Sequence, residues 1–284
     1  MTSVTACAPA QSFFLQGTAG DLFITYYPPL GATAHRRGVI FVPPFAEEMN
    51  KSRRMLALQA RHLADLGLGV LMLDLHGTGD SQGDFAEARW TIWKQDIAVA
   101  CAWLNQQGVR RISLLGLRLG GLLAMDFARQ KDRSFERIVL WQPVLNGESM
   151  MMQFLRLRLA ADMLASAEEK ESTQSLRRIL GGGESIEVAG YELASDLFAA
   201  IDGLRIEPMP TPDFPPIHWL ELAPQDGRTL MPASQRVLQG WRDKGIDVNA
   251  AQVTGPAFWS SAEIALAPQL LQATSQIFRE TAVQ

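Results

Sequence analysis

The sequence predicts an α/β fold in which a mostly parallel central sheet carries helices on both faces and a helical cap is inserted late in the chain. Three observations predict it. Short apolar runs rich in Val, Ile and Leu alternate with segments of helical period along most of the 284 residues. Several of these runs lack polar alternation, as strands covered on both faces do. The rhythm breaks once, between Asn146 and Pro216, and then resumes.

The elements follow in order. "SFFLQG" and "LFITYYPP" read as an opening hairpin joined through Gly17 to Asp21. "GVIFVPPF" (38–45) is a buried strand ending in prolines, and 52–66 a helix with Met55, Leu58, Leu63 and Leu66 near one face and Gly67 closing it. "GVLMLDL" (69–75) is a strand leading into a loop rich in Gly and Asp; Ala88 to Gln107 is a helix carrying Trp93, Ile97, Ala100, Cys101 and Leu104. Strand 111–116, helix 119–130 and strand 137–144 come next. After the break, 217–223 reads as a strand, 232–243 as a helix, 247–253 as a strand and 263–280 as a helix. Such βαβ order implies right-handed crossovers in a parallel sheet. Residues 1–145 and 217–284 are therefore expected to form the core and 146–216 the cap. Within the cap, "FLRLRLAADMLASAEEKES" and "TQSLRRIL" suggest helices, "GGGES" a flexible turn and "IEVAGYEL" a short strand-like piece. A Pro-rich return, "EPMPTPDFPP", leads back to the sheet. The cap is expected over the carboxyl ends of the strands, where open α/β sheets bind ligands.

Composition narrows the classes. With 47% hydrophobic and 20% charged residues the chain suits one large core plus an insertion. Lys plus Arg is 26 against 30 for Asp plus Glu, giving a net charge of −4. No basic run appears, so nucleic acid is not an expected partner. Cys7 and Cys101 form neither a metal spacing nor a disulfide framework and read as free thiols, Cys101 buried on a helix. "MTSVTACAPAQSFFLQG" lacks the basic and apolar regions of a signal peptide, and no stretch reaches the roughly 18 apolar residues that span a bilayer. A cytoplasmic protein is expected, with peripheral membrane attachment left open. No nucleotide-binding loop or metal spacing is present, so no cofactor is expected.

The stretch "RISLLGLRLGGLLAMDFA" carries the functional question. Its strand, Gly116-Leu117-Arg118-Leu119-Gly120 and following helix have the layout of a G-x-S-x-G nucleophile elbow, with arginine where serine would stand. Gly116 and Gly120 keep the sharp turn sterically possible. An arginine cannot attack a carbonyl, because its guanidinium stays protonated. Beside the amino end of a helix, a fixed cation favours a carboxylate or phosphate.

Four stretches together resemble the α/β-hydrolase superfamily: "FVPPF" at its oxyanion loop, "DLHGTGDSQGDF" at the loop after the next strand, "GLRLGG" at the elbow and "LAPQDGRTLMPAS" at the segment carrying the acid. The stretches "FVPPFAEEMNKSRRM", "DLHGTGDSQGDFAEARW", "LLGLRLG", "IEVAGYEL" and "GPAFW" resemble more closely the second type of exosortase A system-associated hydrolase. That bacterial group occurs beside exosortase, PEP-CTERM sorting and exopolysaccharide genes. The resemblance implies the superfamily fold, Asp226 at the acid position, and a partner in that system or at a membrane surface. It also implies a histidine after the last strand, but "VTGPAFWSSA" has none. The four histidines are His35, His62, His76 and His218.

A serine hydrolase needs a hydroxyl, an imidazole and an orienting acid. Losing such members costs on the order of 10⁶ in turnover. The oxyanion donors would be the amides of Leu119 and of Phe45 or Ala46, since Pro43 and Pro44 have no N–H. Ser81 reads as a turn-tying hydroxyl or, less simply, as a nucleophile without a base. His76, at the end of a strand, is a hydrogen-bonded structural imidazole or a general base in the cleft. Glu47 and Glu48 are solvated or ion-paired carboxylates, or activators of water. Arg118 has two roles open to it: an internal pair with Asp226, Glu47 or Glu48 that closes the old reaction centre, or a grip on an anionic ligand.

Met150, Met151 and Met152, with Phe154, Leu155, Leu157 and Leu159, are either a helix packed on the sheet or a lid for an acyl chain or partner, with Arg156 and Arg158 alongside. The expected function is binding of an anionic or acyl ligand, or a partner, by a scaffold with an incomplete triad. The alternative is a hydrolase or acyltransferase acting on esters or thioesters by an atypical mechanism, with Arg118 stabilising charge and Glu47 or Asp226 as base.

Overall fold

In the computed structural model, residues 9–31, 36–130, 134–164 and 171–279 are described; Cys7 and His35 lie outside them. Eight strands form one sheet: β1 (Gln11–Gln16), β2 (Asp21–Tyr27), β3 (Arg37–Val42), β4 (Gly69–Leu73), β5 (Arg111–Leu117), β6 (Ile138–Trp141), β9 (Ile217–Ala223) and β10 (Val248–Thr254), the numbers β7 and β8 belonging to a hairpin outside it. Their order is β1-β2-β4-β3-β5-β6-β9-β10, antiparallel at β1–β2 and β2–β4 and parallel from β4 to β10.

Both faces of the central strands are buried, which explains their unbroken apolar runs. In β3, Ile40 and Val42 point into one core while Val39 and Phe41 point into the other. Helices α1 (Glu47–Asp65) and α8 (Pro268–Arg279) cover the second face. Helices α2 (Trp90–Gln106), α3 (Leu119–Ala128) and α7 (Pro232–Asp243) cover the first. The α1 face is Met49, Ser52, Met55, Leu56, Gln59, Ala60 and Leu63, buried at helical spacing.

Helix α1 starts five residues before the expected Ser52, so Glu47 and Glu48 form its first turn rather than a loop. The start is hard to read because Ala46 offers no side-chain cap; the two acids instead complement the helix dipole. Helix α8 starts later than expected, at Pro268, a residue well suited to a first turn.

Between β6 and β9 the chain adds α4 (Gly147–Leu164), α5 (Thr173–Gly181), β7 (Ile186–Val188), β8 (Tyr191–Leu193) and α6 (Ser195–Asp202), none of which joins the large sheet. "IEVAGYEL" is a complete two-stranded hairpin rather than a single piece. Its two-residue turn puts Ala189 at φ 52° and Gly190 at φ 83°, the left-handed pair that matches strand twist. The methionine-rich face of α4 is not an open apolar surface: Met151 and Leu155 are fully buried, and Leu157 is the exposed member. Arg158 is held on Glu171 by two hydrogen bonds of 2.6 and 2.7 Å. Among the described residues no helix is long and apolar enough to cross a membrane.

Candidate functional site

The chain leaves β3 toward β4 on one side and leaves β5 toward β6 on the other, so the carboxyl ends of β3 and β5 flank the switch point where such sheets open a crevice. Two strand-to-helix turns meet there. Ala46 precedes α1 at φ 50°, ψ −128°, and Arg118 precedes α3 at φ 55°, ψ −120°. Both are non-glycine residues in a left-handed conformation, a strain of about 1–3 kcal/mol each that the surroundings must impose.

The surroundings are close backbone packing. A Cβ on Gly120 would lie 2.3 Å from the carbonyl oxygens of Val42 and Pro43, and one on Gly116 would lie 2.5 Å from the Gly120 oxygen. The start of α3 therefore presses against the end of β3, and only glycine permits it. Arg118 itself is pinned by its N–H on the Trp141 carbonyl at 3.0 Å and by its carbonyl receiving the Val144 and Gly121 N–H groups.

The guanidinium turns to Glu48. Arg118 Nε donates to Glu48 Oε1 at 3.1 Å, with the two side chains only 16% and 10% exposed. Trp259 lies over the guanidinium, 5.4 Å from Cζ to ring centroid, a distance at which the ring face attracts a cation. Met150 Sδ is 3.9 Å from a guanidinium nitrogen. Trp259 belongs to the loop after β10, the stretch in which the superfamily resemblance implies a histidine. Burial pushes the Glu48 carboxyl up to about 6 against the downward pull of Arg118, and Oε2 has no hydrogen-bond partner among the described residues.

The other expected residues separate into two groups. Phe45, Ala46 and Leu119 all line one cavity of about 510 Å³. The amides of these three have no acceptor among the described residues, and they stand at the amino ends of α1 and α3. Leu75, Trp90, Trp93, Leu123 and Met49 make the apolar wall, while Arg53, Thr78 and Tyr191 add polar groups. Burial, then the charge of Glu47, raises the Tyr191 hydroxyl above its usual range.

Asp226, His76 and Ser81 stand apart. Asp226 is exposed and accepts the Thr254 hydroxyl; among the described residues it makes no ion pair with Arg118. The expected pairing choice for Arg118 among three carboxylates thus falls on Glu48. His76 is buried and packed against Gly83, outside the cavity wall; its backbone N–H donates to Asp96 Oδ2 at 2.9 Å, while the ring Nδ1 has no hydrogen-bond partner among the described residues. Ser81 receives the Phe23 N–H at 2.8 Å and donates to the Asp74 carbonyl at 2.6 Å, tying the glycine-rich loop to the hairpin. Asp74 organises the same loop by accepting from Arg53 and from the Asp80 N–H. Among the described residues no group of His, Cys, Asp and Glu is placed to hold a metal.

Trp259 and Tyr191 escaped sequence reasoning as site residues, and Met150 was expected only as part of a packed helix or lid. "GPAFW" and "IEVAGYEL" were visible as motifs, but nothing in them reveals that the tryptophan covers Arg118 or that the tyrosine reaches the cavity.

A switch-point crevice beneath an elbow and two helix amino ends defines an α/β-hydrolase superfamily protein. Solved structures share the whole fold. Est1E from Butyrivibrio proteoclasticus, determined with ferulic acid bound, is 14% identical with a TM-score of 0.66, covering 96% of this chain and 100% of that one. An alpha-beta serine hydrolase homologue from Coxiella burnetii is 15% identical (TM-score 0.55; 96% and 99% covered), and alpha/beta hydrolase domain-containing protein 10 from mouse 15% (0.59; 96% and 100%). Residues 33–177 match the hydrolase family described as serine aminopeptidase, S33, and the chain belongs to that family. A protein named acyl transferase from Shewanella woodyi (strain ATCC 51908 / MS32) is 26% identical over 110 residues, which span 38% of this chain and 35% of that relative.

Proposed function

We propose that this chain is a ligand-binding member of the superfamily that has lost serine-hydrolase turnover, and that the cavity of about 510 Å³ takes an acyl group. The observation that carries this reading is the buried Arg118–Glu48 pair at 3.1 Å, with Trp259 above it, where a hydroxyl and an imidazole would be needed. The unpartnered amides of Leu119 and of Phe45 or Ala46 suit a carbonyl or carboxylate oxygen, and the Leu, Met and Trp wall suits the attached chain. The name of the Shewanella relative is consistent with an acyl ligand.

The test pairs turnover with binding. Nitrophenyl esters of increasing chain length and an acyl thioester should give no saturable turnover, while a fluorescent fatty acid should bind. Asn50→Trp, at an exposed position on the cavity wall, should weaken that binding about tenfold. Saturable turnover of either substrate, or fatty-acid binding unaffected by Asn50→Trp, overturns the reading.

A second reading, an ester or thioester hydrolase or acyltransferase of atypical mechanism, draws on one observation. Glu48 has a free, buried Oε2 and a carboxyl pushed up to about 6, suitable for a general base, and Arg118 stands beside it to stabilise charge. It requires a rate that rises through about pH 6 and vanishes in Glu48→Gln.

The motif resemblance extends the proposal to context: work in the cytoplasm beside the exosortase, PEP-CTERM and exopolysaccharide system, with a protein of that system or a membrane surface as partner. Unchanged exopolysaccharide and unchanged sorting in a deletion strain of the source bacterium would count against it.

A further inference from the structure

A second cavity is lined by Arg118 itself. It holds about 590 Å³ between α4 and α7, and three guanidiniums line it: Arg118, Arg205 and Arg236. One carboxylate, Glu207, shares the wall. Arg118 is already paired to Glu48, and Arg205 to Glu148 at 2.8 Å. Arg236 is exposed and has no ion pair or hydrogen bond among the described residues. Met150 and Met231 add apolar surface, and Met231 is 51% exposed, although methionine readily packs against flexible chains.

We propose that this groove binds an amphiphile with a phosphate head: the head on Arg236 with Arg205 and Arg118, the apolar chain along Met231 and Met150. A phosphate ester presents several acceptor oxygens, so its head can accept from the unpaired Arg236 and from the remaining N–H groups of the paired Arg205 and Arg118. The two arginines already paired have their guanidiniums held by carboxylates, so binding costs little further ordering of those side chains. Arg236 supplies the guanidinium that no ion pair holds among the described residues. This site is separate from the acyl cavity, from which it takes no lining residue.

The test is isothermal titration calorimetry on the full chain with decyl phosphate below its micelle-forming concentration, inorganic pyrophosphate and decanol. Decyl phosphate should bind most tightly, pyrophosphate more weakly and decanol not at all. Raising the salt should weaken the phosphate probes. Arg236→Glu should lower affinity for both phosphate probes at least about tenfold. Met231→Gln should weaken decyl phosphate and leave pyrophosphate unchanged. Both side chains are exposed, so neither change removes core packing.

No binding of decyl phosphate, or binding indifferent to Arg236→Glu, overturns the proposal. Equal affinity for pyrophosphate and decyl phosphate overturns the amphiphile. Binding to phosphatidic acid vesicles without binding of monomeric decyl phosphate replaces the groove with a membrane surface, and also overturns it. Asn50→Trp, which blocks the acyl cavity, should leave decyl phosphate binding intact, so this site and the proposed function fail independently.

Discussion

The turns at Ala46 and Arg118 have nearly the same backbone and opposite chemistry. Each ends a parallel strand, adopts φ near 50–55° and begins a helix. At Ala46 the side chain is a methyl group, so the turn offers its backbone to a cavity. At Arg118 the side chain is a long cation, so the turn must also satisfy a buried charge, and it does so through Glu48, two residues beyond the first turn's apex. The difference teaches that the elbow's shape and its reactivity are separable. Glycine packing sets the shape, and the apex side chain with its partner sets what the site can do.

Three experiments break or sharpen that comparison. Gly120 couples the two turns directly, since it rests on the Val42 and Pro43 carbonyls. Gly120→Ala should therefore disturb both and lower unfolding stability by about 4 kcal/mol, read by urea denaturation. A cost near that of an ordinary surface glycine would show that the turns are independent.

Glu48→Ala should affect the Arg118 turn alone. Leaving a mostly buried guanidinium without its carboxylate costs about 3 kcal/mol, and replacing both partners together by Met and Leu should recover much of it. The same variant has a pH signature. Because the native Glu48 carboxyl is raised from 4.5 to about 6, the folded state holds its proton more tightly than the unfolded state. Its contribution to stability therefore falls as pH rises from about 4.5 to 6 and is flat above. Glu48→Ala should remove that part of the slope. Asp96, raised by burial to about 6, slopes in the same direction and remains in the variant. Asp126 lies outside this window: although burial pushes it up, hydrogen bonds from Trp90 and Lys94 and nearby cations hold it below its usual range. A difference between wild type and variant that is independent of pH would refute the assignment to Glu48.

The smallest effect is a gain. Ala46→Gly should stabilise the fold by about 1 kcal/mol, as glycine relieves the left-handed strain at the loss of one methyl. Thermal unfolding would read it, and a loss of stability would show that the Ala46 methyl packs more strongly than the strain opposes.

The sheet was legible because its strands are buried on both faces, which leaves continuous apolar runs between turn residues. Helix boundaries were less so. Helix α1 lacks a capping side chain at Ala46, α6 is only eight residues long and also uncapped at Ala194, and the Ala-Gly hairpin turn lacks the Asn-Gly signature. At the site, the elbow spacing pointed to Arg118 and the Leu119 amide, and the missing N–H of Pro43 and Pro44 pointed to Phe45 or Ala46. Which carboxylate Arg118 would choose was not.

The sequence alone determined the parallel sheet, the sharp turn at Gly116 to Gly120 and a permanent cation at its apex, because periodicity, glycine and side-chain ionisation are local properties. The tertiary structure alone decided that Glu48 rather than Asp226 faces that cation, that Trp259 covers it, and that Arg205 and Arg236 line one cavity with it. Those outcomes depend on how α1, α4 and the loop after β10 converge over β5, and contacts between residues 70 or more positions apart leave no trace in local pattern.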